Sequence, residues 1–146
     1  MLNHSSAKLM LAITALGALC SLAYAQAKQH SINVPTAQLH FDETGVGQLK
    51  AAPGFGQMAQ GAHGTFVKLP AGYSTPSHRH TSDYYGVVIQ GVVANEQSAT
   101  GKDRPLGPGS YWFQQGNEDH VTKCLSKVDC VTFVSQSDKF DFIPTK

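Results

Sequence analysis

Apolar and polar positions along this chain fall into short runs of strand-forming residues broken by Gly, Pro, Asn and Ser, with almost nothing at helical spacing. The pattern predicts strands over 31–34, 48–51, 64–69, 73–75, 84–88, 92–95, 110–114, 121–125 and 131–136. Turn signals stand between them at Pro53-Gly54, Pro70-Ala71-Gly72, Gly91, Gly101 and Pro108-Gly109. A strand about every ten residues, with turns throughout, marks an all-β sandwich, jelly roll or barrel and excludes a linker or repeat array. Residues 26–47 carry the weakest pattern and read as a loosely ordered N-terminal arm.

The first 25 residues have a different logic. Lys8 precedes an apolar stretch from Leu9 to Leu19, and a run of small residues ends in Ala23-Tyr24-Ala25. This is the layout of a secretory signal peptide cut after Ala25, too short to remain as a membrane-spanning helix. Cys20 follows Leu19, where a lipoprotein signal needs a small side chain, so the reading is a soluble periplasmic or secreted protein with no stable membrane anchor.

Removing that segment leaves 121 of the 146 residues, enough for one hydrophobic core, with the patterned domain over 48–146. Lys8 is the only Lys, Arg, Asp or Glu lost, so ten basic side chains then balance ten acidic ones. A neutral balance gives no electrostatic footprint for nucleic acid or an anionic membrane. Cys20 leaves as well, which isolates Cys124 and Cys130 in an oxidising compartment and predicts a disulfide across a short hairpin.

The chemistry concentrates in Pro76-Ser77-His78-Arg79-His80-Thr81-Ser82-Asp83-Tyr84. Side chains alternate faces along a strand, so His78 and His80 point the same way. A third histidine, His120, lies just past a second Gly-containing turn. Three neutral nitrogen ligands with an open position suit a divalent transition metal, Zn, Mn, Fe, Ni, Co or Cu, rather than Ca or Mg.

These residues resemble the cupin superfamily, whose first motif is G-x5-H-x-H-x3,4-E-x6-G. Gly72, His78, His80 and Gly91 occupy its positions, while Tyr84 stands where the family has its glutamate ligand. The second motif, G-x5-P-x-G-x2-H-x3-N, falls on Gly109, Gln115, Asn117, His120 and Cys124 and keeps only its glycine and histidine. Asn117 tolerates the left-handed backbone a glycine would supply. The resemblance implies a single-domain cupin β-barrel, a double-stranded β-helix or jelly roll, with His78, His80 and His120 as metal ligands. The sequences around Tyr84 and Trp112 look like a branch of small bacterial cupins of unassigned function.

Three roles are open to Tyr84: a phenolate ligand, a hydrogen-bond donor to metal-bound water or substrate, or an aromatic that fills the barrel. Asp83 replaces the missing carboxylate if the strand carries a bulge. Of the adjacent pair, one of Trp112 and Phe113 should face the barrel and the other the outside. Gln114, Gln115, Glu118 and Asp119 crowd the approach to His120, where any of them is placed to hold its second ring N–H. His63, His30 and His40 read as solvent-exposed. Two functions follow from the resemblance: a metal-dependent oxygenase or isomerase acting on a small oxygenated molecule, with Tyr84 as candidate catalytic residue, or a non-catalytic module that binds or senses a metal or small ligand. Cupins commonly pair through their sheets, which implies a homodimer.

Overall fold

A computed structural model of the chain describes residues 30–97 and 102–146. The signal-peptide reading and the Gly101 turn lie outside these residues. A compact unit runs from Val34 to Lys146. It holds a short 3-10 turn at Thr36–Gln38 and ten strands, with no α-helix among the described residues. They are β1 (Asp42–Glu43), β2 (Lys50–Phe55), β3 (His63–Leu69), β4 (His78–Arg79), β5 (Tyr84–Gln90), β6 (Val93–Glu96), β7 (Tyr111–Gln114), β8 (Val121–Cys124), β9 (Cys130–Gln136) and β10 (Ile143–Pro144).

Six strands form one antiparallel sheet in the order β1-β2-β3-β9-β5-β7. Opposite stand the pairs β10-β4 and β6-β8, stitched together by single bridges between His78 and His120 and between Ser74 and Lys123. This is the all-β jelly roll of a cupin. Alternation decides which side chains fill it: along β5, Tyr84, Gly86 and Val88 are buried while Tyr85, Val87 and Ile89 are exposed. Trp112 turns inward and Phe113 outward, the split expected from the sequence.

The register places inward residues in rows across the large sheet. His63, Gln136, Tyr84 and Gln114 form a polar row over four strands. The adjacent row is Thr65, Val134, Gly86 and Trp112, and beyond it lie Val67, Thr132 and Val88. Leu49, Leu69, Val88, Val93 and Trp112 form the core, so the polar row sits at one end of an otherwise apolar interior.

Several expectations are corrected. Residues 31–34 form no strand, because Ile32 and Val34 stay exposed and pair with nothing in a sheet. Residues 73–75 make one bridge rather than a strand: Ser74 lies opposite Lys123, the Thr75 N–H donates to Thr122 O at 2.9 Å and the Cys124 N–H to Tyr73 O at 2.8 Å. Within the segment read as a loose arm, Asp42 and Glu43 pair with Ala51 and Lys50, and Val46 packs on the core. Cys124 and Cys130 are joined, with Cα atoms 5.7 Å apart, but they do not face each other across a hairpin. Cys124 ends β8, which pairs with β6, while Cys130 begins β9 in the six-stranded sheet, so the bridge ties one wall of the barrel to the other.

Candidate metal centre

His78 lies on β4 and His80 just beyond it, both buried, while Arg79 between them is exposed. Strand alternation alone accounts for that. His120 comes from the other end of a long connection, and the backbone brings it in. The His78 N–H donates to the His120 carbonyl at 3.0 Å and the His120 N–H donates back to the His78 carbonyl at 2.8 Å. This reciprocal pair sets the rings side by side, with centroids 4.2 Å apart. Ligand nitrogens of His78, His80 and His120 all lie within 4.8 Å of one another.

Each ring is held from behind by a main-chain carbonyl. Nδ1 of His78 donates to Pro76 O at 2.9 Å, Nδ1 of His120 to Glu118 O at 3.1 Å, and Nδ1 of His80 to Asp141 O at 2.5 Å. A proton fixed on Nδ1 leaves the Nε2 lone pair of all three rings free to coordinate. For His120 the holder is the Glu118 backbone, where the sequence pointed to a side chain. Burial holds His78 at about 3, helped by the neighbouring His120 and opposed by the Pro76 carbonyl. It also holds His120 at about 4 against the Glu118 carbonyl, and lowers His80 against the Asp141 carbonyl and carboxylate. Three neutral, buried imidazoles with uniform tautomers are the donor set a divalent transition metal takes.

Tyr84 stands beside this set. Its phenol oxygen is 3.3 Å from Nε2 of His120 and donates toward Asn95 Oδ1 at 3.4 Å. Burial raises it to about 12, with a smaller opposing effect from the Trp112 and Thr122 side chains. With no metal beside it, it is a neutral phenol at ordinary pH. Asn95 also accepts from Thr122 Oγ1 at 2.7 Å and donates to Gln114 Oε1 at 2.9 Å, so the phenol belongs to a braced network. Asp83 does not stand in for the glutamate: β5 has no bulge at Tyr84, and the exposed Asp83 carboxylate accepts the Gly116 N–H at 2.6 Å. Asn117, at φ 61, takes the left-handed conformation expected of it and donates its N–H to His80 O at 2.7 Å.

His63 is another correction. The sequence placed it in an exposed turn; it opens β3 instead, 1 % exposed, 2.8 Å from Thr65 Oγ1 and 3.3 Å from Gln136 Oε1. Burial lowers its pKa. His30 and His40 are exposed, as expected.

The residues that sequence reasoning missed lie near the C-terminus. Phe142 stacks on His78 at 4.1 Å with 17° between the planes, and Phe140 sits 5.2 Å from His80. Asp141 between them supplies the His80 carbonyl contact, and its carboxylate accepts from Thr81 N and Oγ1. The only signal was the alternation Phe140-Asp141-Phe142-Ile143, too short to separate from a tail. With Leu49, Val67, Leu69, Val134 and Trp112, these aromatics line a cavity of about 70 Å³ over the histidines, whose polar lining is Thr75, Thr122, Thr132, Gln136, Tyr84, His78 and His80.

Residues 45–145 match the family described as a domain of unknown function, DUF4437. The chain belongs to that family. Solved structures similar to this DUF4437 chain include the polyketide cyclase RemF from Streptomyces resistomycificus, at 17% identity and a TM-score of 0.66, covering 80% of this chain and 87% of that one. An RmlC-like cupin from Shewanella frigidimarina has 19% identity and a TM-score of 0.56 over 76% of this chain and 94% of its own. A third, described as a predicted oxalate decarboxylase from Thermotoga maritima, has 18% identity and a TM-score of 0.59 over 73% and 99%. At these identities the likeness is one of fold. No curated protein matches the sequence.

Proposed function

We propose that this DUF4437 protein is exported, that His78, His80 and His120 hold one divalent transition-metal ion, and that it acts as a metal-dependent enzyme on a small oxygenated molecule. The observation that carries this reading is the convergence of three buried imidazoles within 4.8 Å, each with Nδ1 turned to a backbone carbonyl. An ion held there supplies a Lewis acid with open positions for a substrate oxygen. The chain supplies the rest. Tyr84 presents a neutral O–H beside His120, which on turning from Asn95 donates to an oxygen bound at the centre. Phe140 and Phe142 shield the His80 and His78 rings from water. RemF and the Thermotoga protein, named as a cyclase and a predicted decarboxylase, support a catalytic use of this barrel over a purely binding one. Metal analysis of protein taken from the native host's periplasm tests the reading. One ion per chain is expected, with Gln26 as first residue; a folded triple alanine variant of the histidines that keeps full metal content would overturn it.

The outer face of the large sheet supports a homodimer. Tyr85, Val87 and Ile89 of β5 and Tyr111 and Phe113 of β7 are all exposed there, an apolar patch without a charge among them. Such a patch suits a second copy of the same face. Light scattering should give twice the chain mass for the wild type and the chain mass for Val87→Glu; a monomeric wild type at micromolar concentration would refute it.

A further inference from the structure

Trp112 is the only tryptophan in the chain, and it lines the cavity over the histidines. Its position is fixed from below by Gly86, its partner on β5: a Cβ on Gly86 would stand 2.2 Å from the indole ring, so only a glycine there leaves room for it. The indole is 9 % exposed, and its Nε1–H is a buried side-chain donor with no hydrogen-bond partner among the described residues. That N–H lies next to the Tyr84 phenol, near enough to favour the phenolate but without the geometry of a hydrogen bond. Nearby side-chain acceptors are engaged elsewhere: Asn95 Oδ1 with Tyr84 and Thr122, Gln114 Oε1 with Asn95, and Gln136 Oε1 with His63. Buried donors in folded proteins are almost always satisfied, and one left over beside a cavity marks where a ligand atom belongs.

The lining limits that ligand further. No Lys, Arg, Asp or Glu is among the residues around the cavity, so a carboxylate entering it would meet no charged partner on the chain. A volume of about 70 Å³ holds on the order of five water molecules. We propose that the cavity binds a small, uncharged, largely apolar molecule bearing a carbonyl oxygen, and that the Trp112 indole N–H donates to that oxygen. This deepens the enzymatic reading by naming the substrate class of the same site. Tyr84 and Trp112 line the cavity together with His78 and His80, so the carbonyl end of the ligand turns toward that polar lining and its hydrocarbon body toward Leu49, Leu69 and Val134.

Cyclopentanone and oxalate have the same number of non-hydrogen atoms and opposite character, which makes them a matched pair of probes. Because the chain has one tryptophan, its indole N–H gives a single resonance in a proton–nitrogen correlation spectrum. The titration uses the mature protein as purified and again after removal of metal by chelation. Cyclopentanone should move the Trp112 indole proton downfield along a saturating curve in both forms, and oxalate should leave it in place in the chelated form. Trp112→Phe keeps the ring and drops the donor, and calorimetry should show cyclopentanone binding weakened about tenfold. An indole resonance unmoved by cyclopentanone overturns the proposal, as does an oxalate response at lower concentration in chelated protein. The wild-type spectra decide the matter even if the variant fails to fold. Protein that carries no metal as purified and takes up none when supplied with it, yet responds to cyclopentanone, would sink the metal reading and leave this one standing; one ion per chain with no response would do the reverse.

Discussion

Tyr84 occupies the place where the cupin pattern has a carboxylate, and that one residue changes what the centre offers. A glutamate would bring an anionic oxygen; the buried phenol brings an O–H, 3.3 Å from Nε2 of His120. Tyr84→Phe is therefore expected to keep one metal per chain, shown by metal analysis, while activity or ligand binding falls by ten to a hundredfold. Loss of the metal itself would make Tyr84 a ligand instead. The variant should also lose about 1 kcal/mol of stability in denaturant titration, the worth of an ordinary buried hydrogen bond. Gly86 shows the same economy in reverse, since its missing side chain is what admits Trp112. Gly86→Val should expel the indole and shift its fluorescence toward the solvent-exposed range.

Among the elements, the C-terminal segment does most to complete the site. β10 pairs Ile143 with Arg79 and Pro144 with His78, and Thr145 N donates to Ser77 O at 2.9 Å, so the chain end is clipped along β4. That clip delivers the Asp141 carbonyl to His80 and the Phe142 ring to His78. Removing residues 138–146 should leave the six-stranded sheet intact, because none of its strands lies in that stretch. The far-ultraviolet β signal should persist, while zinc affinity measured by chelator competition drops about ten- to a hundredfold through loss of the contact that orients His80. Unchanged affinity would show that Asp141 and Phe142 only cover the rings.

For the whole molecule, the disulfide and the buried histidines set how stability responds to conditions. Cys124 and Cys130 are six residues apart, a loop whose closure contributes about 2 to 3 kcal/mol in the chain-entropy model. Reduction should lower Tm by roughly 10 °C without abolishing the transition, read by calorimetry with and without reductant. The histidines act through pH. His63, His78, His80 and His120 all have folded pKa values below the unfolded value of 6.5, with His78 at about 3 and His120 at about 4. Their neutral forms cost nothing above pH 6.5. As pH falls below it the unfolded chain gains protons that the folded chain refuses, so stability is lost progressively toward the folded values. Each ring still neutral at pH 5 costs about 2 kcal/mol relative to pH 7. His78 and His120 alone then cost about 4 kcal/mol, so metal-free protein should melt roughly 15 °C lower at pH 5 than at pH 7; a flat profile would mean that these rings take up protons in the fold.

Much of this was legible in the sequence because it depends on short-range rules. Period-two alternation named most strands and the opposite facing of Trp112 and Phe113, the H-x-H spacing put His78 and His80 on one face, and the motif spacing pointed to His120. The residue types alone gave the character of the donor set, neutral imidazole nitrogens. What the sequence could not hold is anything set by pairing between distant strands. The polar row His63-Gln136-Tyr84-Gln114 exists only through the register of four strands, and it is why His63 is buried rather than exposed. The disulfide's partners were readable from two cysteines, but its place between the two walls depends on which strands β8 and β9 choose. Phe140, Asp141 and Phe142 reach the histidines only because β10 returns to β4 across more than sixty residues, and a contact of that range is decided by the packing of the barrel, not by any local pattern.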